Sequence, residues 1–256
     1  MKNYLYLILA LTVLFTACTK DEEEEITPQG TENGTRIKSV VMDGEEILSF
    51  IYDNAGRLIR EVIHYNNSEM QIEYEYSGGK LTSETATSGG SIIGQYFYTY
   101  DDQGKLSRCD MPVPDGEVHW EYTYEEGKIV QSIMYMNGQE GIKKIYNYEG
   151  DNMTEAIEYN RFGSDSVWEM QHRVEMEYDN KNNPMFLHHL PFSEVMDEFA
   201  DFISPNNQTH VTEYDQWNAI EYEIEYSYTY NSEGYPIGVD QTENGNTVHL
   251  TILYYE

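Results

Sequence analysis

Few side chains in this sequence have the type and spacing to do chemistry, and the most suggestive are paired carboxylates. Glu73/Glu75 and Glu175/Glu177 each flank one intervening residue. In extended chain each pair projects from one face, about 7 Å apart, a separation that suits the acid and base of an inverting glycosidase. A sheet face that meets water shows the same pattern, and here it recurs in several segments with no pocket implied. His188 and His189 adjoin; as strand neighbours they point to opposite faces and cannot share one ion. The acidic turns offer weak calcium ligands without the spacing of a calcium-binding loop. No phosphate loop, zinc spacing, His-Glu-x-x-His or Gly-x-Ser-x-Gly occurs. Cys109 has no base near it in sequence to activate it and reads as a small buried hydrophobe. No catalytic residue, metal ligand or cofactor is therefore expected. The chain reads as non-enzymatic, with a surface glycan hydrolase using paired carboxylates as the alternative.

Aromatic side chains are the second resource. The chain holds 24 Tyr and 3 Trp. Tyr has high strand propensity, an apolar ring and a polar tip, which suits a half-wet sheet face. Such rings form a core, or, where left open, a platform for a glycan or a protein; Trp120, Trp168 and Trp217 are the candidates for that ligand face. Composition limits the partners. With 46 acidic against 15 basic residues the formal charge is −31, so no basic patch exists to neutralise phosphates and nucleic acid is excluded.

The elements that must position these residues are strands. Ile72-Glu73-Tyr74-Glu75-Tyr76, Trp120-Glu121-Tyr122-Thr123-Tyr124, Val174-Glu175-Met176-Glu177-Tyr178 and Tyr226-Ser227-Tyr228-Thr229-Tyr230 alternate with period two, the mark of an antiparallel sheet with one packed and one wet face. The strands are punctuated by a repeated phrase. Tyr52-Asp53-Asn54-Ala55-Gly56-Arg57-Leu58 returns as Tyr100-Asp101-Asp102-Gln103-Gly104-Lys105-Leu106, with shorter variants after Tyr76 and Tyr124. Tyr52, Tyr76, Tyr100, Tyr124 and Tyr148 are spaced by 24 residues. Midway lie second turns at Asn66-Asn67, Ser88-Gly89-Gly90, Pro112 to Gly116, Asn137-Gly138 and Phe162-Gly163-Ser164. Each unit thus holds two strands and two turns. The whole predicts an all-β, up-and-down antiparallel meander of about 17 strands, too many to lie flat and so strongly curled into a half-barrel or barrel. One exception interrupts it: Ser193 as N-cap, an apolar stripe of Val195, Met196, Phe199, Phe202 and Ile203, and Pro205 as stop predict one short α-helix near 193–204, packed on the tyrosine face or plugging one end.

The N-terminus carries an address. Lys2 precedes an apolar stretch from Leu5 to Phe15, and Phe15-Thr16-Ala17-Cys18 is similar to a bacterial lipobox. That resemblance implies a signal peptide at 1–17, cleavage before Cys18 and acylation of its sulfur. Two or three acyl chains, at about 0.8 kcal/mol per buried methylene, anchor a protein permanently in practice. Lys20-Asp21-Glu22-Glu23-Glu24-Glu25 reads as part of an acidic, disordered tether at 18–35 and resembles the export signal of surface lipoproteins in Bacteroides-type bacteria. A single β domain at 36–256 follows. The turn phrase resembles the YD repeat of Rhs proteins, teneurins and toxin cocoons. A closer likeness, over Arg36 to Glu256, is to secreted lipoproteins of Bacteroides-type bacteria with a porin-like fold and no assigned function. It implies a lipid-anchored protein of the Gram-negative outer membrane, displayed at the cell surface, with membrane contact through Cys18. A small transmembrane β-barrel is the further alternative, disfavoured by a tyrosine face short of aliphatics. Asp165-Ser166-Val167 resembles a short bacterial O-glycosylation site.

Overall fold

Period-two alternation from Ile37 onward becomes sixteen antiparallel strands that close on themselves. The computed structural model describes residues 36–65, 68–114, 116–161, 167–188 and 203–255. In order the strands are β1 (Ile37–Met42), β2 (Glu45–Tyr52), β3 (Leu58–Tyr65), β4 (Ser68–Ser77), β5 (Lys80–Ser88), β6 (Ser91–Tyr100), β7 (Leu106–Val113), β8 (Gly116–Glu125), β9 (Lys128–Met136), β10 (Gln139–Glu149), β11 (Asn152–Asn160), β12 (Glu169–Asn182), β13 (Asn206–Asp215), β14 (Ile220–Tyr230), β15 (Pro236–Glu243) and β16 (Asn246–Tyr254). Each pairs with its sequence neighbours, and β1 pairs with β16 from Ile37↔Tyr254 to Met42↔Leu250. The expectation of about 17 strands is corrected to sixteen, and the open choice between half-barrel and barrel resolves to full closure. Closure leaves no unpaired sheet edge, and an even strand number lets the first and last strands of a meander meet antiparallel.

The chain turns at two ends with different chemistry. The connections after even-numbered strands define a tyrosine end; after β2 and β6 they carry the Tyr-Asp phrase, while Gly78-Gly79 and Glu126-Gly127 turn in two residues at positive φ. The Asp side chain builds the turn: Asp53 Oδ1 accepts from the Ala55 and Arg57 amides at 2.9 and 2.8 Å, and Asp101 Oδ1 from Gln103 and Lys105 at 3.0 and 2.8 Å. Gly56 and Gly104, at φ 79° and 84°, supply the left-handed residue that returns the chain. At the opposite end, two-residue hairpins such as Asn137-Gly138 and Asn244-Gly245 place both residues at positive φ, the twist-matched turn of a β-hairpin. There the Asp phrase appears once more, unnoticed in the sequence: Asp215 Oδ1 accepts from Trp217 and Ala219, with Asn218 at φ 65° in place of glycine.

Residues expected on the helix at 193–202 lie outside the described residues. Its described flanks reach the tyrosine end: Met185 packs on one core cluster and Ile203 on the other. His188 ends a single 3-10 turn, Met185–His188, so the strand assigned to it is corrected; His189 lies outside the described residues. Cys18, Ser166 and the segments 1–17 and 18–35 lie outside them too.

Packed and wet faces are sorted as the alternation predicts. Ile72 and Tyr74 on β4, Tyr96 and Tyr98 on β6, Val118 on β8, Tyr146 on β10, Met176 on β12 and Ile224 on β14 are buried. The intervening Glu73, Glu75, Glu121, Glu177, Glu223 and Glu225 are exposed. In a closed barrel the buried face is the interior, so aromatics fill the inside and carboxylates coat the outer wall.

Candidate functional site: the barrel interior and its far rim

The interior at the tyrosine end is layered, and hydrogen bonds stitch successive repeats together. In the outermost layer six turn-leading tyrosines donate to a backbone carbonyl of the preceding unit: Tyr52 to Ile37 (3.0 Å), Tyr76 to Leu58 (2.8 Å), Tyr100 to Leu81 (2.8 Å), Tyr148 to Ile129 (2.9 Å), Tyr178 to Met153 (2.6 Å) and Tyr254 to Pro236 (2.7 Å), while Tyr230 donates to the Asp179 carboxylate. Tyr124 meets the backbone of Leu106 in the corresponding place. The basic residue of each turn covers the ring of the next repeat: Arg57 over Tyr76 and Lys80 over Tyr100 at 4.7 Å, Lys105 over Tyr124 at 5.0 Å, Lys128 over Tyr148 at 5.4 Å. This explains why the phrase ends in Gly-Arg or Gly-Lys. Burial pushes the Tyr100 and Tyr124 phenols up to about 12, so both stay protonated donors at neutral pH.

The next layer holds two charges that sequence reasoning missed. Glu61 and Glu84 point inward, each 2 % exposed. Glu61 accepts from Tyr74 at 3.1 Å and Glu84 from Tyr98 at 2.8 Å; Ser132 meets Tyr146 in the equivalent place at 2.9 Å, and Cys109 fills that position in the unit between, across from Tyr98 and Trp120. Desolvation pushes Glu61 up to about 8, with the nearby Glu84 adding to it, and pushes Glu84 up to about 7. Two carboxylic acids with raised pKa in one interior are what a glycosidase needs. These two are sealed, and a general acid must reach the substrate within hydrogen-bond distance. Their geometry is that of acceptors for the second tyrosine layer.

Beyond that layer the interior changes character along the wall. On β4, β6 and β8 it stays apolar with Ile72, Tyr96 and Trp120. On β10 to β13 it becomes ionic: Lys144 lies 3.5 Å from Glu158, Glu158 lies 3.7 Å from His172, and His172 lies 4.0 Å from Glu213. His172 and Glu213 are about one-third exposed, so this string is reached by water. It sets cationic donors and anionic acceptors beside an aromatic wall, an arrangement that recognises polar, hydroxyl-rich surfaces rather than one charge sign.

The residues singled out in sequence fall in different places. Trp120 is interior, 6.4 Å from the Tyr96 ring. Trp168 is covered by Lys143 and Arg161 at 4.8 and 5.0 Å. Trp217 stands 78 % exposed in the β13–β14 turn. The three do not share one face. Ile92, Met136, Val167 and Ile220 are exposed with Trp217 at the far rim, away from the tyrosine end. The paired glutamates Glu73/Glu75 and Glu175/Glu177 sit on the outer wall, where Glu73 pairs with Arg60 at 3.0 Å, Glu75 accepts from Ser83 at 2.7 Å, and Glu175 pairs with Arg173 at 2.9 Å.

An interior packed by aromatics inside a closed antiparallel meander invites comparison with solved barrels. A porin-like protein from Bacteroides uniformis superposes with a TM-score of 0.51 at 14% identity, covering 81% of this chain and 90% of that one. The fold is porin-like. A second porin-like protein, from Bacteroides vulgatus, aligns at a TM-score of 0.43 and 11% identity over 87% of this chain and 99% of its own. No protein-family profile and no curated protein matches the sequence, so the likeness of the turn phrase to Rhs-type YD repeats rests on the turn residues alone.

Proposed function

We propose that this chain is a lipid-anchored protein of a Gram-negative outer membrane that holds a water-bathed, non-enzymatic barrel at the cell surface and binds a glycan at its far rim. The observation that carries the reading is the polarity of the wall. A membrane-spanning barrel presents an apolar band outward and a polar lumen inward. Here Glu73, Glu75, Glu121, Glu223 and Glu225 face outward, and the buried tyrosines Tyr52, Tyr74, Tyr96, Tyr98 and Tyr146 face inward. Ionised carboxylates along the outside are incompatible with lipid contact, so the porin-like fold is read here as one that stands beside the bilayer. Attachment then falls to acylated Cys18.

Chain direction orients the barrel on such an anchor. The first described residue, Arg36, meets Tyr255 at the tyrosine end, where the Tyr255 amide donates to the Arg36 carbonyl at 3.0 Å. A tether entering there turns the tyrosine end to the membrane and the rim of Trp217 and Ile220 outward. The ionic string from Lys144 to Glu213, with Trp120 and Tyr96 beside it, supplies the hydrogen-bonding and stacking groups a sugar requires.

Two measurements test this. Metabolic labelling with a palmitate analogue should mark the wild type and spare Cys18→Ala, and Cys18→Ala should partition to the aqueous phase of a detergent extraction; a label retained on the variant, or partition into detergent, overturns the anchored, non-spanning reading. A glycan array probed with the full chain should give hits that Glu158→Gln weakens at unchanged melting temperature. Hits indifferent to that change remove the rim from the proposal.

A further inference from the structure

On the outer wall of β7 and β8, close to the hairpin that joins them, Asp110, Glu117 and His119 each offer one ligand atom, all within 4.8 Å of one another. Register explains the convergence. Asp110 lies directly across the ladder from His119, and Glu117 precedes His119 by two residues on the same strand face.

The histidine is not an ordinary surface residue. It faces outward yet is only 6 % exposed, because Tyr135 stacks on it at 5.0 Å with the planes 10° apart. Its Nδ1 is buried and makes no hydrogen bond, although it points into the cluster, 3.4 Å from Glu117 Oε1. Its Nε2 looks the other way, to Glu121 Oε1 at 3.7 Å. A buried ring nitrogen left without a donor or acceptor calls for an explanation. A ring held flat by an aromatic, with one nitrogen toward carboxylates and the other toward a further carboxylate, is the disposition of a metal-ligating histidine and its orienting partner.

A cation already occupies the neighbourhood. Arg108 Nη2 lies 2.6 Å from Asp110 Oδ1 and 2.5 Å from Glu117 Oε1, and its Nε donates to Asp110 at 2.8 Å. The guanidinium neutralises the same two oxygens a metal would take, yet His119 Nδ1 beside it has no hydrogen-bond partner. Arg108 is about one-third exposed on a long side chain, so a displaced guanidinium reaches water.

We propose that Asp110, Glu117 and His119 form a binding site for a divalent transition-metal ion of the zinc class, with Arg108 as the built-in cation that a metal displaces. One imidazole nitrogen and two carboxylate oxygens match zinc, which commonly takes three protein ligands and leaves a fourth position to water. Calcium and magnesium demand more oxygens and gain nothing from the imidazole.

The test is a calorimetric titration of the full-length, detergent-solubilised protein with Zn²⁺ alone. One equivalent should bind, with Glu117→Gln and His119→Ala each weakening it at least about tenfold. Glu117 is exposed, so the Gln variant keeps the fold if the buried histidine variant does not; thermal melts report this. Arg108→Gln is the discriminating variant. It removes the competing charge, and zinc affinity should rise severalfold. A merely structural ion pair predicts the reverse sensitivity: if Arg108→Gln leaves zinc affinity unchanged or lowers it, or if Glu117→Gln leaves it unchanged, the proposal fails. His249→Ala, at the exposed pair with Asp240, should leave the stoichiometry at one; loss of the equivalent in that variant places the site elsewhere and also overturns it.

Discussion

The buried acids Glu61 and Glu84 make the barrel's stability depend on pH in the direction opposite to most proteins. Both hold protons in the fold at pH values where the unfolded chain has released them, because their pKa values rise from 4.5 to about 8 and about 7. Where the native state binds more protons, stability falls as pH rises. The contribution is therefore intact below about pH 4.5, declines between that value and 8, and is gone above 8. At about 1.4 kcal/mol per unit, ionising Glu61 in place costs on the order of 5 kcal/mol and Glu84 roughly 3 kcal/mol. Domains are stable by only about 5–15 kcal/mol, so even half of that sum is a large fraction. Urea unfolding followed by tryptophan fluorescence, with Trp120 reporting from the interior, should show several kcal/mol lost between pH 5.5 and 8.5. The double variant Glu61→Gln, Glu84→Gln keeps an oxygen to accept from Tyr74 and Tyr98 and removes the titration. It should flatten the profile across this window. A double variant that loses as much stability as the wild type on going to pH 8.5 would refute the assignment.

Three further perturbations probe the stitching of the repeats. Tyr100→Phe strands the Leu81 carbonyl inside the barrel and should cost about 1–3 kcal/mol, whereas Tyr159→Phe on the outer wall should change stability by less than about 0.5 kcal/mol; equal effects would mean the tyrosine–carbonyl bonds contribute nothing particular. Gly104→Val forces a branched residue to φ 84° and puts its Cβ 2.9 Å from Lys80 Nζ, the cation over Tyr100; a loss of about 2 kcal/mol, or about 4–8 °C in melting temperature, is expected by calorimetry. Removal of residues 254–256 takes away the bonds from Tyr254 to Pro236 and from Tyr255 to Phe50 and should convert a protease-resistant barrel into a sensitive chain; undiminished resistance would show that closure does not need them.

What the sequence made legible was whatever repeats locally. Alternation at Ile72-Glu73-Tyr74-Glu75-Tyr76 sorted inside from outside, and the 24-residue spacing of Tyr52 to Tyr148 placed the turns. Closure was not legible, because β1 meets β16 across the whole length of the chain and no local residue records that meeting. Glu61 and Glu84 were missed for a different reason. A bulge follows each Tyr-Asp turn: Tyr52 pairs with Leu58 but Ile51 with Arg60, and Tyr76 pairs with Leu81 but Glu75 with Ser83. The extra residue shifts the phase, so Leu58 and Glu61, and likewise Leu81 and Glu84, point the same way although three apart. Strict period-two counting puts those glutamates in water. The three tryptophans scattered because only Trp120 lies within an alternating strand, while Trp168 precedes β12 and Trp217 sits in a turn. The His119 cluster was invisible because Asp110 joins it only through cross-strand register.

The latch that crosses the seam has a consequence for timing. Tyr255 donates to Phe50 at 2.8 Å over β1, which lies between them, and among the described residues β16 is the partner of the outer edge of β1. Hairpins between sequence neighbours can form one by one, yet β1 keeps an open edge until β16 docks on it. Closure thus waits on the pairing of the two described strands that lie farthest apart in sequence. Until then β1 is open to any other strand with a free edge, and the bond from Tyr255 to Phe50 forms only once that seam has shut.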